Sequence, residues 1–323
     1  MPPAADAPNR TTHVVDTVVG GDTLRIVLDG MPPLRARTAA QALGELRHRH
    51  EAFRRFLLEA PHGHAGINAC LVLPPLTPGC DRTVVLAAQF GYAPMAGTAL
   101  MAAAAVLNEC TPASAAQRGS ECTFDTAIGP GRVQIRPASP NAPEAHWFTR
   151  RPQVLAHALA LSLPGGTEVR ATLVDSGLPY VVTELHEHAV EDLDQRDLSR
   201  IGAAVARTAT ATRAPGAAGG ASTTHAYIAM LVGTPRSGGD GGAVVPVAWV
   251  SANGVVAAGP GGTGALAVAA YLQAEDRLPV DAGIGIAGPA GAPIHCRIRR
   301  ETAEVTAVVH IGAERELPDA PLE

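Results

Sequence analysis

The sequence predicts an α/β protein built from two related halves, and three observations predict it. Val255–Glu275, VVAAGPGGTGALAVAAYLQAE, joins a glycine-rich turn directly to an apolar helix. Ala93–Glu109, APMAGTALMAAAAVLNE, repeats that design, so PMAGTALMAAAAVL lies against PGGTGALAVAAYL at a separation of about 165 residues, the scale of one domain. The 323 residues, 46% of them hydrophobic, suffice for two domains that each bury a core.

The repeated element carries its own chemistry. Between Gly259 and Gly264 the glycines remove the Cβ barrier, so backbone can approach a ligand closely. Val255–Ala258 reads as the end of a strand. Ala265–Gln273 is apolar almost all round, the pattern of a helix buried on most faces. A helix start of this kind offers free N–H groups and a positive dipole end to a carboxylate or phosphate. The picture that follows is two half-chains, each aiming a helix N-terminus at a shared cleft.

The remaining elements follow in order. Residues 1–11 read as a disordered tail, with Pro, Asp and Asn but no apolar run of a signal peptide. His13–Asp16 and Thr23–Leu28 are strands about Gly20-Gly21. Thr38–Leu58 is one amphipathic helix with RHRHEAFRR on a solvated outer face. Ala69–Leu73 and Thr83–Ala87 are strands, the first apolar helix follows, and strands and turns in Arg118–Pro143 end the first half. In the second half Val154–Leu163, Glu168–Val174 and Tyr180–Thr183 are strands, with a turn at Asp175-Ser176-Gly177. Asp194 caps a helix over Gln195–Thr208 that buries Leu198, Ile201 and Val205. Ala214–Ser222 is a loop. Tyr227–Val232, Val244–Ser251, Ile294–Ile298 and Val305–Ile311 are strands, with a flexible Ser-Gly-Gly-Asp-Gly-Gly segment before the second. The domains expected are 12–146 and 147–323, with the last strand able to return to the first.

Composition excludes several functions. A net charge of −5 does not suit a nucleic-acid binder, and 3% aromatic residues provide no stacking platform. All 25 basic residues are arginine, which removes a lysine Schiff base and a P-loop lysine. The five cysteines are odd in number and lack C-x-x-C spacing, so a reducing cytoplasm is expected rather than a disulfide framework. No apolar run approaches a membrane span. Gly259–Gly264 and Gly283–Gly288 both match G-x-G-x-x-G, but the first has only Asp281 near the required acidic position and Pro289-Ala290-Gly291 after the second starts no helix. His62-Gly-His64 and His186-Glu-His188 lack a third ligand, so no metal and no cofactor is expected.

His13–Leu34 (HVVDTVVGGDTLRIVLDGMPPL) and Phe53–Pro78 (FRRFLLEAPHGHAGINACLVLPPLTP) resemble the proline racemase family, which includes proline racemase, hydroxyproline 2-epimerase and trans-3-hydroxyproline dehydratase. The resemblance continues through FGYAPMAGTAL, DSGLPYVVTE and VVAAGPGGTGALA, nearly the whole chain in order. It implies two pseudo-symmetric domains of the diaminopimelate-epimerase-like type, each with strands about a central helix, and a homodimer.

Family members with two-base chemistry carry one cysteine at an M-C-G-H turn and another at P-C-G-T-G; one thiolate removes the α-proton and the opposite thiol delivers another. Here Ala96 stands in place of the first cysteine and Thr98 in place of the histidine. Gly261 replaces the second cysteine, or the threonine of the dehydratases, and Ala257 replaces an aspartate. The H-T-G-G-E-P element has become Val18-Val19-Gly20-Gly21-Asp22-Thr23. The cradle is kept and the acid–base pair is gone.

The expectation is a repurposed enzyme for a small-molecule substrate, performing isomerisation, cyclisation or elimination in a specialised biosynthetic pathway. The replacements make the pocket more apolar and point to a larger, less charged ligand. Candidate catalytic residues are His64 (matching the family's G-H), Asp175 and Thr98. The pocket is expected from His62, Met95, Ala96, Gly97, Gly261, Gly262, Thr263 and Gly264, the last three as anion-binding amides. The plainer reading makes His64 a loop-orienting group and Thr98 a helix cap. The alternative functions are an inactive ligand- or partner-binding protein and, after it, residual proline or hydroxyproline chemistry.

Overall fold

In the computed structural model the described residues are 11–110, 121–139, 141–185, 190–212, 226–238, 242–289, 291–318 and 320–321. Residues 1–10 of the expected tail, the pair His186 and His188, the loop over Ala214–Ser222, Arg118, and residues 239–241 of the Gly-rich segment lie outside them. The chain divides into two compact units. One holds the chain up to Val18, Thr23–Ala145 and the chain from Val308; the other holds Val19–Asp22 and His146–Ala307.

The first unit begins with β1 (Thr12–Val19) and β2 (Asp22–Asp29), then α1 (Ala39–Arg49) and α2 (Glu51–Leu58). β3 (Ile67–Leu73), β4 (Arg82–Ala88) and the short β5 (Gly91–Ala93) lead into α3 (Gly97–Cys110), followed by β6 (Glu121–Asp125), β7 (Gly131–Ser139) and β8 (Ala142–Arg150), of which the residues from His146 belong to the second unit. β2 and β3 run parallel, β3 and β4 antiparallel, β4 and β6 parallel, and β6 and β7 antiparallel. Ala42, Leu46, Phe53, Leu57 and Leu58 of α1 and α2 join Leu71, Val85 and Ala87 of the sheet in one core. α3 packs against β3 and β7, and its residues from Ala99 to Val106 are at most 2% exposed, which its all-round apolar composition demands.

The second unit repeats this plan. β9 (Gln153–Ser162), β10 (Glu168–Asp175) and β11 (Pro179–Glu184) precede a 3-10 turn at Val190–Asp192 and α4 (Gln195–Thr212). β12 (Ile228–Val232), β13 (Arg236–Ser237) and β14 (Ala243–Val250) lead into α5 (Gly262–Ala274), followed by β15 (Gly283–Ala287), β16 (Ile294–Ile298) and β17 (Thr302–Leu317). β11 and β12 are parallel, β12 and β14 antiparallel, β14 and β15 parallel, and β15 and β16 antiparallel, the order seen in the first unit. In both, an outer helical segment links the first parallel pair and an all-apolar inner helix links the second. α4 lays Leu198, Val205, Ala206 and Ala209 on Leu173, Val181, Leu231 and Ala248, while α5 is buried from Gly262 to Leu272.

Four local expectations need correction. Thr38–Leu58 is two helices, because His50 leaves helical geometry at φ −122° and ψ 36°. Within RHRHEAFRR the solvated face excludes His50 and Arg54, both buried; Arg54 is satisfied by Glu51 and by the Ala88 carbonyl at 2.8 Å. Val255–Ala258 is not a strand end, since only Val256 makes an isolated bridge, to Val250. The capped helix after Asp194, whose Oδ1 accepts from Asp197 N–H at 2.8 Å, runs four residues further than expected, to Thr212.

Candidate active site

The start of α5 lies where several stretches of backbone meet at van der Waals distance. A Cβ added to Gly259 would lie 2.4 Å from the Gly20 carbonyl oxygen and 2.8 Å from the Asp22 carboxyl, so no side chain fits there. Gly288 and Gly291 are equally confined, the first by Ala258 and Gly259 and the second by Gly20 and Gly21. The β1–β2 turn, with Gly20 and Gly21 at positive φ, thereby brings Asp22 against the α5 turn. Gly259 N–H donates to Asp22 Oδ1 at 3.0 Å. Burial pushes the Asp22 carboxyl up to about 7, although the backbone N–H groups of Gly259 and Gly261 pull it partly back.

Gly261 is the N-cap residue of α5 at φ 63° and ψ 152°, backbone that only glycine adopts without strain. As glycine, the cap residue has no side chain to offer the first-turn amides the bond that a Ser or Asp would supply. Among the described residues, a Cβ at Gly261 would meet within 4 Å only Asp22 Oδ2, at 4.0 Å. The space beside Gly261 is therefore open and bordered by the carboxylate.

This helix start is braced from below. Ser176 Oγ donates to the Thr263 carbonyl at 2.8 Å, and the Tyr180 hydroxyl meets Thr263 Oγ1 at 2.8 Å. All three residues are buried. Burial pushes the Tyr180 phenol up to about 12, so it remains neutral. Ser176 and Tyr180 are neighbours of this helix start that sequence reasoning missed, as it missed Asp22. Asp22 occupies the acidic position of the altered H-T-G-G-E-P element, and that was the available signal.

Asp175 is the last residue of β10, at the turn into β11. Its Oδ1 accepts from Gly177 N–H at 2.8 Å and its other oxygen lies 3.8 Å from Arg150, so it shapes the turn that delivers Ser176. Gly262, Thr263 and Gly264 do form the first turn of α5, with Ala265 N–H donating to the Gly261 carbonyl at 2.9 Å. In the first unit α3 starts comparably. Leu100 N–H donates to the Ala96 carbonyl at 3.1 Å, and Met95, Gly97 and Thr98 are buried.

His64 is exposed, and its Nδ1 accepts from Gly66 N–H at 3.2 Å within its own turn, the loop-orienting role. His62 packs on Phe56 with ring centroids 4.7 Å apart, and its carbonyl accepts from Arg25. Arg25, 2% exposed, also donates to the Leu57 carbonyl and forms a two-point ion pair with Asp16, which fixes this turn to β1 and β2.

The described thiols are not activated. Burial pushes Cys70 and Cys122 up to about 12 and also raises Cys80 and Cys296. Among the described residues no group of three or more His, Cys, Asp or Glu side chains is gathered to hold a metal ion, and no helix is long and apolar enough to cross a membrane.

Comparison with known proteins places this architecture. A family profile described as proline racemase matches residues 14–313. A 4-hydroxyproline 2-epimerase of Pseudomonas putida is 35% identical over 85 residues, which are 26% of this chain and 28% of that protein. This alignment thus spans little more than a quarter of the relative's length. The hydroxyproline epimerase of Agrobacterium vitis, solved with trans-4-hydroxy-L-proline bound, superposes with a TM-score of 0.79 at 16% identity, covering 96% of this chain and 92% of that one. A methylitaconate-delta-isomerase superposes with a TM-score of 0.53 at 10% identity, covering 97% of each chain. These likenesses show a strand-rich α/β fold common to epimerases and isomerases. Because the profile runs through both units, from β1 to β17, this chain belongs to the proline racemase family.

Proposed function

We propose that this chain is a cofactor-independent isomerase- or lyase-type enzyme for a small carboxylate, working by isomerisation, cyclisation or elimination without a pair of thiols. One observation carries the reading. The α5 start keeps an uncapped, glycine-built helix terminus braced by Ser176 and Tyr180, while the side chain that would perform two-base chemistry is absent at Gly261. Such amides suit an anionic group and the negative charge that develops when an adjacent C–H bond breaks. The alanine at position 96 and the raised thiols elsewhere argue against inversion by paired cysteines. A homodimer in the cytoplasm belongs to the same reading, and light scattering tests the dimer.

The test follows deuterium incorporation by NMR, with proline, its hydroxy derivatives and dehydroproline analogues in heavy water. We expect exchange or double-bond migration in an activated substrate such as a dehydroproline, and no inversion of proline. Rapid inversion of proline would overturn the reading. A native protein that binds these carboxylates yet exchanges none would instead be a binding protein that kept the fold.

A further inference from the structure

We infer that Asp22 is the proton-transferring residue of this site, because its Oδ2 borders the open space beside Gly261 while its Oδ1 is held by the Gly259 amide. The inference rests on the reading above and deepens it. The carboxyl is not placed by chance rotamers. Gly259 admits no Cβ because Gly20 and Asp22 occupy that volume, so the acid is locked against the turn that opens α5.

The chemistry balances with this one group. The Asp22 carboxylate takes a proton from the carbon next to the substrate carboxylate; a C–H bond breaks and an O–H bond forms. The electron pair moves into the substrate, where the first-turn amides of α5 stabilise the added charge. The same carboxyl then returns its proton, either to a carbon further along a conjugated system or to a departing group. No oxidant, reductant or second acid is needed. A single base working from one side suits a proton shift or an elimination, and does not suit inversion, which needs groups on opposite faces. The substrate class is a small carboxylate whose α-hydrogen is activated by a neighbouring double bond or a leaving group.

The carboxyl is tuned for this work. An acid poised near neutral pH serves equally as donor and acceptor, and burial pushes Asp22 up to about 7. Around it are the backbone amides of Gly259 and Gly261 and the neutral phenol of Tyr180. Among the described residues no cationic side chain contributes to its shift.

The experiment uses pyrrole-2-carboxylate, a flat carboxylate, as probe of the full chain by calorimetry between pH 5 and 8.5. Buffers of different ionisation enthalpy report the protons taken up on binding. The flat probe stands for the planar intermediate, the state in which Asp22 holds the proton it has taken; Asp22 is then protonated beside the bound probe, so affinity falls with a midpoint near 7, by about tenfold per pH unit above it, and binding at pH 8 takes up close to one proton. Asp22→Asn, which keeps an acceptor for Gly259, flattens the profile, abolishes the uptake and lowers deuterium exchange in the dehydroproline assay at least 100-fold. Asp22→Glu retains uptake and restores part of the exchange. A pH-independent affinity in the native protein, or uptake unchanged in a folded Asp22→Asn, would overturn the role of Asp22 and leave the proposed function standing. No binding of the probe at any pH would remove the carboxylate-enzyme reading itself, and this inference with it.

Discussion

A carboxyl confined among close-packed glycines links stability to pH in a direction opposite to that of a salt-bridged aspartate. Asp22 has a folded-state pKa of about 7, well above the usual carboxylate range. Between pH 4 and 7 the native state therefore holds a proton that the unfolded chain releases, so this contribution is fully present below pH 4 and is lost as pH rises through 7. At about 1.4 kcal/mol per pKa unit the loss is on the order of 2–4 kcal/mol. Urea unfolding of native protein and Asp22→Asn at pH 5 and 8.5 isolates it. The native protein is expected to lose more stability than the variant over that interval, and equal losses would show that Asp22 titrates normally. A second residue-scale expectation concerns the brace under α5. Tyr180→Phe leaves Thr263 Oγ1 without its 2.8 Å partner in a buried setting, at a cost of about 1–3 kcal/mol in chemical denaturation. A change below about 0.3 kcal/mol would mean that the hydroxyl pair carries no net stability.

At the scale of elements, what the sequence announces is burial rather than partnership. α3 and α5 were legible because helices that are apolar all round have nowhere to go but inside. α1 and α2 were read as one helix because Leu46, His50, Phe53, Arg54 and Leu57 continue an i, i+3/i+4 pattern straight through the break, and the kink at His50 has no Gly or Pro to mark it. The buried Arg54 was misread, and Arg25 was not singled out, for a related reason. Arg54 and Arg25 are satisfied by carbonyls distant in sequence, Ala88 for the first and Leu57 and His62 for the second, and no local pattern encodes those bonds. Arg25 joins β1, β2, α2 and the His62–His64 turn through one guanidinium. Its truncation, Arg25→Ala, leaves the Leu57 and His62 carbonyls without their donor and Asp16 with Arg315 alone, and is expected to cost about 2–4 kcal/mol. Arg25→Lys, with a point charge in place of a fork, restores only part of that. Circular dichroism melts of the two variants check the order, and a fully stable Arg25→Ala would show that the pair does not anchor the turn.

For the whole molecule, the repeated order of strand pairings explains why one motif could be recognised twice and why the site could not be completed from it. The glycine turn before α5 is visible locally, whereas the acid beside it comes from 237 residues away. The same long connectivity governs β17. Its first residues pair with β16, His295 opposite Thr306 and Ile298 opposite Ala303, and belong to the second unit. From Val308 onward the chain belongs to the first unit, where Leu317 and Ala320 enter the core of α1, α2 and β3. There Ile311 N–H donates to the Asn141 carbonyl at 2.8 Å, and Arg315 pairs with Asp16, the partner of Arg25. Leu317→Ala should therefore weaken the first unit selectively, by about 2–4 kcal/mol from lost burial and the cavity left behind. A chain ending at Ala307 keeps every β16 pairing but loses all of these contacts, and should deprotect the first unit much further. Hydrogen exchange read by mass spectrometry separates the units. Amides of β2, β3 and β4 are expected to exchange faster in both variants, while those of α5 and β10 to β12 keep their protection. Equal deprotection of both sets would show that the two units unfold as one, and unchanged protection of β2 to β4 would show that the returning strand is dispensable to the unit it joins.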